Sequence, residues 1–184
     1  MIKDHDRSYF IGASDTNKVM GNYNTETFKK WWMTKLGINK DSFTTKAMKV
    51  GNAFEHKILE TLDGVVMDEQ ILLPELGLRV NYDGRVNNHI YEVKTTAKEV
   101  KVSKAYIQQS QVEMFAYKEK YGVLPDLSIL FYQVNEDDYE NYFMPIDKSR
   151  LQEFPIVYDP KFIEQYKVRL KYLHECIEKG VMPK

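Results

Sequence analysis

The chain has 184 residues, 26 Lys plus Arg against 27 Asp plus Glu for a net charge of −1, 43% hydrophobic and 13% aromatic residues, and one cysteine. One cysteine excludes an intramolecular disulfide framework, a cysteine-rich zinc module and a four-cysteine iron–sulfur cluster, and the aromatic content argues against disorder. No apolar run approaches the ~20 residues of a membrane helix, and Met1 to Arg7 lack the apolar stretch of a secretory signal, so a cytoplasmic protein with no membrane partner is expected.

The elements then follow in order. Ser14 is a natural N-cap for a short helical stretch to Met20, with Gly21 behind it. A helix fits 25–36, with Phe28, Trp31, Trp32 and Leu36 on its apolar side. A third spans about 45–62, where Met48, Phe54, Ile58 and Leu62 recur at helical spacing. The period then changes. Residues 65–73, 78–83 and 90–95 read as strands, with Asp83-Gly84 opening an Asn-rich turn. Residues 102–120 are helical again, 127–134 form a buried-looking strand, and Tyr139 to Ile146 is expected to pair back as an edge strand. Asp159 caps and Pro160 opens a last helix. With no internal repeat or linker, one domain over 1–184 is expected. The element order gives an α/β (α+β) fold, a sheet flanked by helices.

The sharpest local feature is Asp83, followed nine residues later by Glu92-Val93-Lys94. Two apart on a strand, Glu92 and Lys94 leave one face while Val93 points to the other. If the strand at 78–83 pairs with that at 90–95, Asp83 lands beside Glu92. Two buried carboxylates repel, and a divalent cation with hard oxygen ligands removes the conflict. The backbone carbonyl of Val93 adds a ligand, and Lys94 can serve a metal-bound water or a phosphate, which is equipment for phosphodiester hydrolysis. Alone, the spacing is also what a hairpin with an exposed strand face gives. On the third helix, Glu55 stands at the edge of the apolar stripe, about 100° from Phe54. Gly51, one turn earlier, costs helix stability unless something passes close to it. Downstream, Tyr106 and Gln109 share a helix face, whereas Gln109 and Gln111 cannot.

Taken together, these residues resemble the PD-(D/E)xK nuclease superfamily, and within it the phage lambda exonuclease and YqaJ-type viral recombinase family, over about residues 7–118. The stretches that carry the resemblance are Arg7 with Ile11-Gly12-Ala13-Ser14, Gly51 with Glu55, Asp83-Gly84 with Glu92 and Lys94, and Tyr106 with Gln109 and Gln111. Each is weak alone; four in the right order are not. Tyr82 departs from the pattern, since relatives often carry proline or a small residue before the aspartate. The resemblance implies a restriction-endonuclease-like central mixed sheet. It implies that Glu55, Asp83, Glu92 and the Val93 carbonyl hold one or two Mg²⁺ or Mn²⁺ ions and that Lys94 and Gln109 serve the attacking water. Arg7 and Ser14 would hold a DNA 5′-phosphate, with Tyr106 and Gln111 also on the DNA side. The implied activity is 5′–3′ digestion of double-stranded DNA ends, leaving 3′ single strands for an annealing protein, by a homo-oligomeric ring such as a trimer, in a phage or prophage of a bacterial host.

Lys98 and Lys101 follow the acidic strand closely and are candidates to track the DNA backbone, although a charge run is also what a solvated loop looks like. His5, His56, His89 and His174 show no ligand spacing, and Cys176 reads as a packing residue. Two other classes stay open: a restriction-type or junction-cutting endonuclease on the same fold, and a non-catalytic DNA-binding adaptor.

Overall fold

The computed structural model describes residues 9–39, 46–141 and 143–184. In chain order the elements are β1 (Ile11–Gly12), α1 (Thr16–Val19), α2 (Glu26–Lys35), α3 (Lys46–Leu59), β2 (Val66–Leu73), β3 (Leu78–Val86), β4 (His89–Thr96), α4 (Lys104–Tyr121), β5 (Asp126–Gln133), α5 (Glu136–Glu140), β6 (Leu151–Pro155) and α6 (Pro160–Lys179). Three of the long helices, α2, α4 and α6, begin on side-chain caps that satisfy their first amides. Thr25 Oγ1 accepts from the Phe28 N–H at 3.2 Å and Ser103 Oγ from the Tyr106 N–H at 3.2 Å. Asp159 Oδ1 accepts from Lys161 and Phe162 at 3.0 and 3.1 Å.

Three local expectations are corrected. Ser14 is not a cap: it is exposed on a 3₁₀ turn over Ala13–Asp15, and Asp15 precedes α1 without capping it. Asp15 is engaged elsewhere, with Lys18 at 3.4 Å and Lys35 at 3.5 Å. Among the described residues from Tyr139 to Ile146 there is no strand. Asn135 and Asp138 cap each other reciprocally, at 2.8 and 3.1 Å, and start α5 where a turn was expected. The strand that pairs back on β5 is β6, further on. Third, Asp83-Gly84 is not a turn. Both residues lie inside β3, and the chain reverses at Asn87, which takes the left-handed φ of 51°.

Six strands form one mixed sheet in the order β1–β3–β4–β5–β6, with β2 on the second edge of β3. Helices cover both faces, which gives the expected sheet-and-helix architecture. A large core joins the sheet to α1, α2, α4 and α6 through residues such as Val19, Trp32, Val80, Phe115, Ile129 and Tyr166. A smaller core on the opposite face joins Phe54, Ile58 and Leu59 of α3 to Val93, Leu130 and Tyr132.

The β2–β3 ribbon serves both cores by turning over along its length. Ile71 and Val80 are register partners, and both belong to the large core. Met67 and Gly84 are also partners, yet Met67 packs on the small core and Gly84 lies against Leu59 of α3. An uninterrupted strand would put positions 67 and 71 on one face. Between the two pairs the register places Asp68 opposite Asp83, and Asp68 has φ 56°. Aspartate is one of the few L-residues that tolerate this region. Asp83 thus sits where the ribbon changes faces. Among the described residues no helix is long and apolar enough to cross a membrane.

Candidate active site

β4 is held differently on its two sides. Towards β5 it is paired in parallel over eight positions, His89↔Asp126 through Thr96↔Gln133. Towards β3 the antiparallel pairing covers only Gly84↔Tyr91, Arg85↔Ile90 and Val86↔His89. Continuing that register would set Asp83 opposite Glu92. Instead the strands part, and the Val93 N–H is taken by a side chain, Asp83 Oδ2, at 2.8 Å. The fork so formed holds the acidic pair anticipated from the spacing.

Glu92 is 3% exposed. Its Oε1 accepts from Lys94 Nζ and, at 2.6 Å, from Gln109 Nε2. Burial and the neighbouring Glu92, opposed by Lys94, push the Asp83 carboxyl well above the usual range, with Glu55 adding to the rise. Burial works against the charge of Lys94, but Glu92 and Asp83 outweigh it and hold the ammonium above its usual range. The Lys94 ammonium also lies 5.4 Å over the Tyr106 ring, which is fixed edge-on to Phe131.

One wall of the fork is α3, and two glycines set its approach. A Cβ on Gly51 would stand 3.3 Å from Thr95 Oγ1, so the helix passes close to the end of β4. A Cβ on Gly84 would stand 2.6 Å from Leu59 Cδ2, one helical turn beyond Glu55. The glycine after Asp83 therefore serves close helix–strand packing rather than a turn. Glu55 is half-buried here, its carboxyl raised by burial and by Glu92. Gly51, Glu55, Val93, Lys94, Thr96 and Lys98 border an open cleft of about 530 Å³.

The other wall is α4, buried on every side from Ser110 to Tyr117. Gln109 Nε2 donates both to Glu92 Oε1 and, at 2.7 Å, to Glu113 Oε1. Glu113 is 0% exposed, and burial, reinforced by Glu92, drives its carboxyl well above the usual range. Sequence reasoning missed this residue. The available signal was a glutamate one turn after Gln109 within the apolar run Val112 to Ala116. The Tyr82 hydroxyl donates to the Glu113 backbone carbonyl at 3.0 Å, tying the residue before Asp83 to the same turn of α4.

The donor set fits a hard divalent cation. Glu92 Oε2 is buried with no hydrogen-bond partner among the described residues, and Glu92 raises the carboxyls of Glu55 and Asp83 beside it. Val93 borders the cleft beside them. Asp68 was also missed. From its left-handed position on β2 it reaches His56, at 3.2 Å, so that ligand atoms of Glu55, His56 and Asp68 lie within 4.8 Å of one another on the exposed rim.

The remaining candidates separate. Lys98 and Lys101 are exposed on the loop after β4, Lys98 at the cleft and Lys101 at an adjoining depression bordered by Ser103 and Tyr106. Ser14 lies on the turn that packs against α4 and β3. Arg7 lies outside the described residues. Gln111 is not brought to the site. It is 3% exposed, donates to the Val157 carbonyl at 2.7 Å and accepts from the Asp159 N–H at 2.6 Å, and so fastens the start of α6. A second depression of about 510 Å³, beside Gly77 and His174, has its carboxylates only on exposed positions.

No protein-family model matches the chain, and no curated protein matches it in sequence. Solved structures do share its fold. The alkaline exonuclease LHK-Exo from Laribacter hongkongensis aligns with a TM-score of 0.69 and 18% identity over 95% of this chain and 90% of that one. LHK-Exo in complex with dAMP gives 0.70 and 17% over 96% and 91%. A phage-related exonuclease from Haemophilus somnus gives 0.63 and 16% over 95% and 99%. The chain therefore has the fold of alkaline and phage-related exonucleases, as the resemblance implied.

Proposed function

We propose that this chain is a metal-dependent exonuclease of double-stranded DNA that works from 5′ ends and leaves 3′ single strands. The observation that carries this reading is the cluster of Asp83, Glu92, Lys94 and Gln109 beside the cleft that Glu55 and Lys94 border, in a fold shared with exonucleases. Glu55, Asp83, Glu92 and the Val93 carbonyl would hold Mg²⁺ or Mn²⁺, which when bound supplies an acidified water and charge neutralisation at the phosphate. Lys94 places a positive charge beside Glu92 and the scissile phosphate, and Gln109 orients the water. Tyr106 positions the Lys94 ammonium. Lys98 and Lys101, at the mouth, attract the DNA backbone, and Ser14 with Arg7 would receive the 5′-phosphate.

On this reading the chain is a phage or prophage protein that acts in the cytoplasm of a bacterial host. A ring of copies would supply processivity, and a single-strand annealing protein would take the product. The test is nucleotide release with Mg²⁺ from 5′-phosphorylated linear, dephosphorylated linear and circular duplexes, with EDTA as control. Release from the first, slower release from the second and none from the third or with EDTA is the expected pattern. Cutting of the circle would replace it with an endonuclease, and no release from any duplex would leave a binding adaptor. Light scattering reports the number of copies.

A further inference from the structure

We infer that Glu113 is a positioning residue for this reaction, acting through Gln109; the inference rests on the nuclease reading above. A glutamine side chain carries two amide hydrogens and one carbonyl oxygen. Both hydrogens of Gln109 are committed, one to Glu92 Oε1 at 2.6 Å and one to Glu113 Oε1 at 2.7 Å. The opposite amide orientation would press its oxygen against Glu92 Oε1 and give up the contact with Glu113 Oε1, so the two carboxyl groups together fix which end of Gln109 faces which way. What Gln109 has left to offer is Oε1, an acceptor. It is therefore set to receive a hydrogen from a water while its amino group stays on Glu92.

Among the described residues no other hydrogen bond accounts for this carboxyl. Position 113 is 0% exposed between Val112, Met114, Phe115 and Ala116, where a leucine would pack without the cost of burying a polar group. Its Oε2 has no hydrogen-bond partner among the described residues, and the hydrogen bond its side chain makes is the one with Gln109. The Tyr82 hydroxyl on the Glu113 carbonyl then locks this turn of α4 to the strand that carries Asp83.

The experiment compares Glu113→Leu, Glu113→Gln, Gln109→Leu and the double Leu variant of the full chain, by steady-state kinetics on 5′-phosphorylated linear duplex with Mg²⁺. Thermal unfolding and the side-chain amide NMR signal of Gln109 are recorded alongside, that signal being identified by its loss in Gln109→Leu. Glu113→Leu is expected to lower kcat about tenfold to a hundredfold with KM within about twofold and no loss of Tm, and to move the Gln109 signal. Glu113→Gln, which keeps a carbonyl acceptor for Gln109, is expected to recover most of that loss. The double variant is expected to be no worse than Gln109→Leu alone, because both changes break one unit. An unchanged kcat in Glu113→Leu, no recovery in Glu113→Gln, or additive losses would each overturn the role. Were the wild type to release no nucleotide, the nuclease reading would fall, and the Gln109 signal would decide the positioning role separately: unmoved by Glu113→Leu, it refutes it.

Discussion

The two edges of β4 are built to opposite rules. On the β5 side eight consecutive pairs run without a break, and the residues behind them, Ile129, Leu130, Phe131 and Tyr132, are all buried. On the β3 side three pairs suffice, the strands fork, and a carboxylate replaces a backbone acceptor. The closed edge fixes Glu92 and Lys94 in space, and the open edge can then collect carboxyl groups that repel one another. Stability is drawn from the first edge and chemistry from the second, and each substitution below is aimed at one of them.

Asp83→Asn should produce the largest effect. It keeps an acceptor for the Val93 N–H but removes a negative ligand, so nucleotide release should fall by about a thousandfold or more. The metal-free variant should nonetheless melt at a higher temperature than wild type, because to fold the wild type must either bury a charge beside Glu92 or take up a proton on Asp83. A lower Tm would mean that the open edge is not where repulsion is stored. On the closed edge the signs reverse. Ile129, the register partner of Glu92, is fully buried, and Ile129→Ala should cost about 2–5 kcal/mol in denaturant unfolding. At a temperature where it stays folded, its kcat should remain within about twofold of wild type, and a catalytic collapse would show that this edge does more than hold.

Gly84→Ala tests the boundary between the two. The added methyl meets Leu59, on the helix that carries Glu55, so destabilisation of about 1–3 kcal/mol should come together with weaker Mg²⁺ binding measured by calorimetry. Destabilisation with unaltered Mg²⁺ affinity would separate α3 packing from the metal site.

What was legible beforehand follows the range of the interaction. The helix start at Asp159 was near to hand because a cap is chemistry within three residues. The shared direction of Glu92 and Lys94 was legible because a period-two strand fixes it. The turning-over of the β2–β3 ribbon was not, since it rests on a left-handed Asp68 whose identity signals nothing in a strand. Nor was the parallel pairing of β1 with β3, Ile11↔Leu78, which joins residues far apart in the chain. Gln111 shows the limit of matching letters. Two positions from Gln109 on a helix, it faces elsewhere by geometry alone. Glu113 was hidden for the opposite reason: its apolar neighbours made the segment read as plain core.

The smallest effect is also the most direct measure of what the open edge tolerates. Burial raises the Glu113 carboxyl well above its ordinary value of 4.5 in the folded protein, while in the unfolded chain it titrates near that value. Between the two, the native state holds a proton that the unfolded state has lost, so the contribution of Glu113 to wild-type stability falls as pH rises through this window. Glu113→Gln carries no such proton. Measured by urea unfolding with EDTA present, the stability of Glu113→Gln relative to wild type should be constant below about pH 4.5. It should then grow by about 1.4 kcal/mol per pH unit, until the folded carboxyl itself ionises, and level off there. A difference that stays flat from pH 4 to 8 would show that Glu113 ionises as readily folded as unfolded, and that α4 does not enclose it as tightly as its burial implies.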